Sequence, residues 1–97
     1  MNNTQFIQSI LSNALPLLQR KYPLQSLALF GSQARGEQTS TSDIDILVEL
    51  NGEMDWNYFD LCYEIQALFP GQKVDVVSKG AIEKPYWEFI KQDLVYA

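Results

Sequence analysis

The 97-residue sequence has no histidine and a single cysteine, Cys62. Without histidine, a Ser-His-Asp triad and His-ligated zinc are excluded, and carboxylates become the obvious metal ligands. One cysteine cannot form an intrachain disulfide, which fits a reducing, cytoplasmic setting. Cys62 falls in an expected helix and reads as a small apolar residue there, not a reactive thiol. Positive charge is scarce too: seven Lys+Arg against twelve Asp+Glu give a net charge of −5. That balance argues against nonspecific binding to nucleic acid or anionic lipid, which needs a basic surface, and leaves a basic partner protein open. Long apolar runs are missing as well. The opening "MNNTQFIQSILSNALPLLQRKY" lacks a basic leader and mixes polar with apolar residues, so it reads as neither a signal peptide nor a membrane span. With no repeat, low-complexity tract or linker, the chain reads as one domain over residues 1–97.

The sequence is 46% apolar, a fraction normal for a folded protein. Phe6, Ile7, Ile10, Leu11, Ala14, Leu15 and Leu18 recur at helical spacing, with Thr4 placed as the N-cap. Pro16 is expected to kink this helix or to begin a second short one, and Pro23 ends it. "SLALF" (26–30) reads as a buried strand, "SQAR" as one helical turn closed by Gly36, "EQTSTS" as a polar loop, and "IDILVEL" (44–50) as a second strand. Asp55 is expected to cap a helix running to about Phe69, with Trp56, Phe59, Cys62, Tyr63 and Ile65 on its apolar stripe. Pro70-Gly71 stops it, and "KVDVVS" (73–78) is a third strand. A last helix from about Lys84-Pro85 buries some of Trp87, Phe89, Ile90 and Leu94. The pattern predicts an α/β fold: a small sheet with helices packed on one face.

Strand alternation puts Asp43 and Asp45 on one face of the second strand. If the second and third strands are neighbours, Asp75 joins them. Two unit charges about 4 Å apart repel by about 4 kcal/mol at an effective dielectric of about 20. Three such carboxylates call for a cation, and oxygen donors alone suit magnesium or manganese. Gly31 permits close backbone approach to a ligand, and Ser32 opens a helical turn whose hydroxyl and N–H groups face an anion. Together these describe a site for a metal–nucleoside triphosphate. Arg35 reads equally as a bidentate phosphate ligand and as an ion-pairing surface residue. Taken singly, Ser32 reads as a helix cap and Asp43 as a turn residue. An aspartate inside an apolar strand, as at Asp45 and Asp75, is less ordinary, and the combination in one short chain favours a site.

The combination Gly31-Ser32, ten residues, Asp43-Ile44-Asp45, and a later strand "KVDVV" carrying Asp75 resembles the polymerase-beta-like nucleotidyltransferase superfamily. The fuller string "LFGSQARGEQTSTSDIDILV" is most similar to its minimal nucleotidyltransferases, small prokaryotic proteins that often serve as the antitoxin of a HEPN-domain ribonuclease toxin. The resemblance covers nearly the whole chain. It implies the family fold, two magnesium ions (manganese as the alternative) held by Asp43, Asp45 and Asp75, and ATP phosphates held by Gly31 and Ser32. It further implies AMP transfer to a tyrosine of a HEPN-type toxin. Two alternatives stay open. One is neutralisation by binding alone, through aromatics such as Tyr86 and Tyr96 in "PYWEFIKQDLVYA". The other is transfer to a small molecule or a nucleic-acid end; acidity weighs against the latter.

Overall fold

Asn2 opens the first helix with a reciprocal cap: its side chain accepts from the Gln5 N–H, and the Gln5 side chain accepts from the Asn2 N–H. The cap is therefore Asn2, not Thr4, whose hydroxyl instead donates to the Gln33 carbonyl. The computed structural model describes residues 2–37 and 43–97. Helix α1, Asn3–Lys21, runs on through Pro16, where a kink or restart was expected. Proline removes one backbone hydrogen bond, but buried Ile7 and Leu11 before it and Leu18 after it anchor both halves to the same core. Arg20 and Lys21 complement the negative end of the helix dipole.

Four strands follow: β1 Leu24–Phe30, β2 Ile44–Leu50, β3 Val74–Ser78 and β4 Val95–Tyr96. Between them lie α2 Ser32–Arg35, α3 Asn57–Ala67 and α4 Lys84–Ile90. The sheet order is β3-β2-β1-β4. β2 and β3 are parallel, while β1 is antiparallel to both β2 and β4. The parallel pair needs a crossover, and α3 supplies it. The expected polar loop lies outside the described residues beyond Glu37. Strand β4, only two residues long, was not expected; local pattern cannot mark so short a strand. Among the described residues, no helix is long and apolar enough to cross a membrane.

One sheet face carries Leu27 and Leu29 of β1 and Ile44, Ile46 and Val48 of β2, packed against α1 and against Leu61 and Ile65 of α3. Burying each such side chain contributes about 1.5–3 kcal/mol. Ala28 and Leu47 point to the opposite face and are also buried. There the 3-10 turn Lys79–Ala81 packs on β2 and the turn Lys91–Asp93 packs on β1. In α4, Ile90 is buried, Trp87 half-buried and Phe89 exposed.

Helix α3 differs from expectation in two ways. Asp55 gives no side-chain cap; its N–H donates to Asn57 Oδ1 and its carbonyl accepts from the Tyr58 N–H. The buried stripe is Leu61 and Ile65, extended by Phe69 and by half-buried Tyr58 and Leu68. Trp56, Phe59 and Tyr63, placed on the buried stripe by periodicity, are exposed, and Cys62 is half-buried. The helix has two apolar stripes at helical spacing, and the sheet covers only one.

Candidate active site

The site is built where β1 ends and β2 and β3 run side by side. Phe30, the last residue of β1, is the register partner of Asp45. Asp45 in turn is the parallel register partner of Asp75, so the two aspartates sit abreast on the face away from α1 and α3. Both are half-buried. Burial, first, and then the charges of Asp75 and Asp43 hold the Asp45 carboxyl above the usual carboxylate range, against the opposing charge of Arg35.

Gly31 turns the chain away from β1 with φ 77° and ψ −157°. A Cβ there would fall against Asp45 Oδ2 and 3.3 Å from Asp45 Cγ. Only glycine brings the backbone this close to the carboxylate. Ser32, half-buried, then begins α2, and the Gly31 carbonyl accepts from the Ala34 and Arg35 N–H groups. Gly36 closes the turn in the left-handed conformation, φ 72° and ψ 21°, as expected.

Asp43 lies just before β2, with Oδ2 3.6 Å from Lys73 Nζ. Asp45 and Asp75 thus stand together, and Asp43 pairs with Lys73 while its charge still reaches Asp45. Among the described residues, no three His, Cys, Asp or Glu side chains are gathered about one point. Arg35 donates from Nε to Glu37 Oε2 at 2.9 Å and from Nη1 to Asp93 Oδ2 at 2.7 Å. Its guanidinium is taken up by two carboxylates and ties α2 to the turn Lys91–Asp93.

Two features were not legible in advance. Gln33 is buried to 3% exposure; its Oε1 accepts from Asn3 Nδ2 at 2.6 Å. With the Thr4 bond, this fastens the Gly31-Ser32 turn to the first turn of α1. Nothing local marks a glutamine in a four-residue helix for burial. The second is a cleft of about 790 Å3 beside the two aspartates, lined by Phe30, Asp45, Asp75, Ile82, Glu83 and Tyr86 among others. Its volume is within the range of small-molecule sites. A face holding two abreast carboxylates and a glycine turn against one of them is suited to a hard divalent cation and the anion it neutralises.

Residues 11–97 match the family model described as nucleotidyltransferase domain. The chain belongs to that family. A Methanocaldococcus jannaschii protein, provisionally named a protein adenylyltransferase, is 45% identical over 98 residues, covering 99% of each chain. A solved structure, provisionally described as a minimal nucleotidyltransferase, superposes with a TM-score of 0.76 at 26% identity, covering 98% of this chain and 95% of the other. A solved toxin-antitoxin structure with AMP-PNP superposes with a TM-score of 0.67 at 25% identity, covering 87% of this chain and 69% of that one. The nucleotidyltransferase fold and the resemblance drawn from "LFGSQARGEQTSTSDIDILV" hold, and the mixed sheet is the family's.

Proposed function

We propose that this nucleotidyltransferase is an antitoxin that moves AMP from ATP to a tyrosine of a partner HEPN-type ribonuclease toxin and thereby silences it. The observation that carries the reading is the pairing of Asp45 with Asp75 across β2 and β3, with Gly31 against Asp45. The relative named as a protein adenylyltransferase and the toxin-antitoxin neighbour with AMP-PNP support the acceptor class and the donor.

The donor set fits a hard cation: half-buried oxygen ligands, with burial first and then the charges of Asp75 and Asp43 raising the Asp45 carboxyl. Asp45 and Asp75 would hold magnesium, with Asp43 completing the set once released from Lys73. Bound magnesium supplies neutralisation of the triphosphate and lowers the pKa of the attacking hydroxyl. Asp75 orients that hydroxyl and draws its proton. The Gly31 backbone lets the outer phosphates approach, and the Ser32 hydroxyl donates to one of them. The acceptor oxygen forms a bond to the α-phosphorus as the bond from that phosphorus to the bridging oxygen breaks, and pyrophosphate leaves. Arg35 serves as a phosphate ligand only if it exchanges Glu37 or Asp93 for the nucleotide.

Purified protein is incubated with ATP, magnesium and candidate toxins, and the toxin is analysed by mass spectrometry for added AMP. Transfer to a tyrosine, lost in the Asp43→Asn/Asp45→Asn variant, is the expected result. Absence of transfer from folded protein with every toxin that it binds refutes the reading. Exposed Tyr86, Phe89 and Tyr96 favour one alternative, neutralisation by contact alone. That alternative requires the same double variant to protect cells as well as the wild type does.

A further inference from the structure

The free edge of the sheet lies beside the two aspartates. In the order β3-β2-β1-β4, β3 pairs on one side only, with β2. The Ile44 N–H donates to the Lys73 carbonyl at 3.0 Å, so residues 73, 75 and 77 turn their main-chain groups toward β2 and Val76 turns its own outward. Among the described residues, no other main-chain group bonds to that outward N–H or carbonyl. The cleft of about 790 Å3 follows this edge: Val74, Asp75, Val76 and Val77 all line it. Successive side chains of a strand point to opposite faces, and only along the edge can one cleft touch four in a row. Ile82 and Tyr86, from the segment after β3, add apolar wall. Tyr86 is 69% exposed and shares a second, apolar hollow with Pro85 and Phe89.

The direction of the reaction says what enters this cleft. Phe30, Asp45 and Asp75 form one row across β1, β2 and β3. The proposed chemistry leaves the outgoing pyrophosphate at Gly31-Ser32, at the β1 end of that row. In-line displacement puts the attacking and leaving oxygens on opposite sides of the phosphorus. The acceptor hydroxyl therefore comes from the β3 side, past Asp75. A polypeptide acceptor can use an unpaired strand edge, because main-chain hydrogen bonds form there whatever the side chains. A second copy pairing edge to edge would close the cleft that the transfer needs open.

We infer that the free edge of β3 receives an extended segment of the acceptor protein by strand addition, with the acceptor side chain lying between Tyr86 and Asp75. The proposal rests on the transfer reading for the direction of attack and for the occupant being a protein. Val76 supplies the main-chain donor and acceptor, and the Tyr86 ring packs on the incoming side chain. From there a hydroxyl reaches the Asp45–Asp75 pair on the same side of the sheet.

The probe is a capped seven-residue peptide with tyrosine at its centre and valine and threonine on either side. It is titrated into the isotope-labelled full chain with magnesium and α,β-methylene-ATP, which cannot transfer AMP, and followed by NMR. Expected are shift changes concentrated in residues 74–86 and slower amide exchange at Val76, while Asp75 and Val77, already turned to β2, change little. Tyr86→Ala should bind the peptide at least about tenfold more weakly. N-methylation of one alternate set of peptide residues should abolish binding, and methylation of the other set should leave it. Trp56→Ala/Phe59→Ala, on α3, should bind as the wild type does. The substituted side chains are exposed, and circular dichroism verifies that each variant is folded. Shift changes centred elsewhere, no gain of protection at Val76, unchanged affinity in Tyr86→Ala, or equal tolerance of both methylated sets would overturn the proposal. So would nucleotide that covers Tyr86 and Ile82 and excludes the peptide, which would make the base the occupant. Self-association that the peptide reverses would make it a second copy, with the same consequence. No AMP moves in this assay, so its failure and the failure of transfer to a toxin are told apart.

Discussion

Substituting alanine for Gly31 tests the site at its tightest point. The backbone there, φ 77° and ψ −157°, lies in a region essentially closed to other residues, and entering it with a side chain costs about 1–3 kcal/mol. The added Cβ also falls against Asp45 Oδ2. Either the carboxylate moves or the turn does, and the steric part of the loss should couple to Asp45 by about 0.5–3 kcal/mol. In a domain of this length each kcal/mol lowers Tm by about 4–8 °C, so the backbone cost alone should make Gly31→Ala melt about 4–24 °C below the wild type, and the steric part adds to that. The assay is calorimetry on wild type, Gly31→Ala, Asp45→Ala and the double variant. Alanine at position 31 should cost less when residue 45 is already alanine. Gly36→Ala is the control: its backbone is also left-handed, φ 72°, but nothing lies within 4 Å of the added Cβ. Only the conformational cost of about 1–2 kcal/mol applies there, and the response to magnesium and nucleotide should survive. A Gly31→Ala protein melting within about 2 °C of wild type, or an equal loss in both residue-45 backgrounds, would refute the contact between turn and carboxylate.

Asp75→Asn should leave the metal-free protein as stable as wild type or more so, because it removes one of two abreast charges; in the same melts, magnesium with ATP should raise Tm for wild type and much less for this variant. A clear loss of metal-free stability would make Asp75 a structural residue. The Tyr22 hydroxyl donates to Glu64, which also pairs with Lys21 at 2.6 Å. These hydrogen bonds, Lys21's first, hold the Glu64 carboxyl below its ordinary range, so their contribution is present at neutral pH and is lost as pH falls through the folded-state pKa. Tyr22→Phe should cost about 0.5 kcal/mol at pH 7 and nothing in acid, read from denaturation midpoints at both pH values. The same hydrogen bond, with burial, pushes the Tyr22 phenol up to about 12. Above the acid transition of Glu64, its stabilisation is therefore whole up to about pH 10 and lost as pH rises through 12, which absorbance titration of wild type against Tyr22→Phe measures.

Local pattern carried much of this protein. Alternation over residues 44–50, the apolar runs at 26–30 and 73–78, and helical spacing in the first twenty residues specify period and therefore element type. Asp45 and Asp75 stand out as aspartates inside apolar strands, whereas Gly31, Ser32 and Asp43 could be singled out only in combination with them, since each alone has an ordinary structural reading. Placing Asp75 beside Asp45 required one assumption, that β2 and β3 are neighbours, and the parallel register agrees with it. Elsewhere local information was degenerate. Both stripes of α3 are apolar, so periodicity alone could not say that Leu61 and Ile65 face the sheet and Trp56, Phe59 and Tyr63 face water. Asn2 and Thr4 are both good caps, and Thr4 was free to serve Gln33 only because α2 packs beside α1.

The sequence by itself therefore determined element types, the family, and the chemistry available at the site, since these depend on residue type and on spacing along the chain. Tertiary structure alone decided which apolar stripe is buried, that a two-residue strand closes the sheet edge at β1, that Asp43 pairs with Lys73, and that Arg35 is held by Glu37 and Asp93. Each of those outcomes is a competition between partners distant in sequence or equally near in it. Only the three-dimensional arrangement sets which partner is within reach.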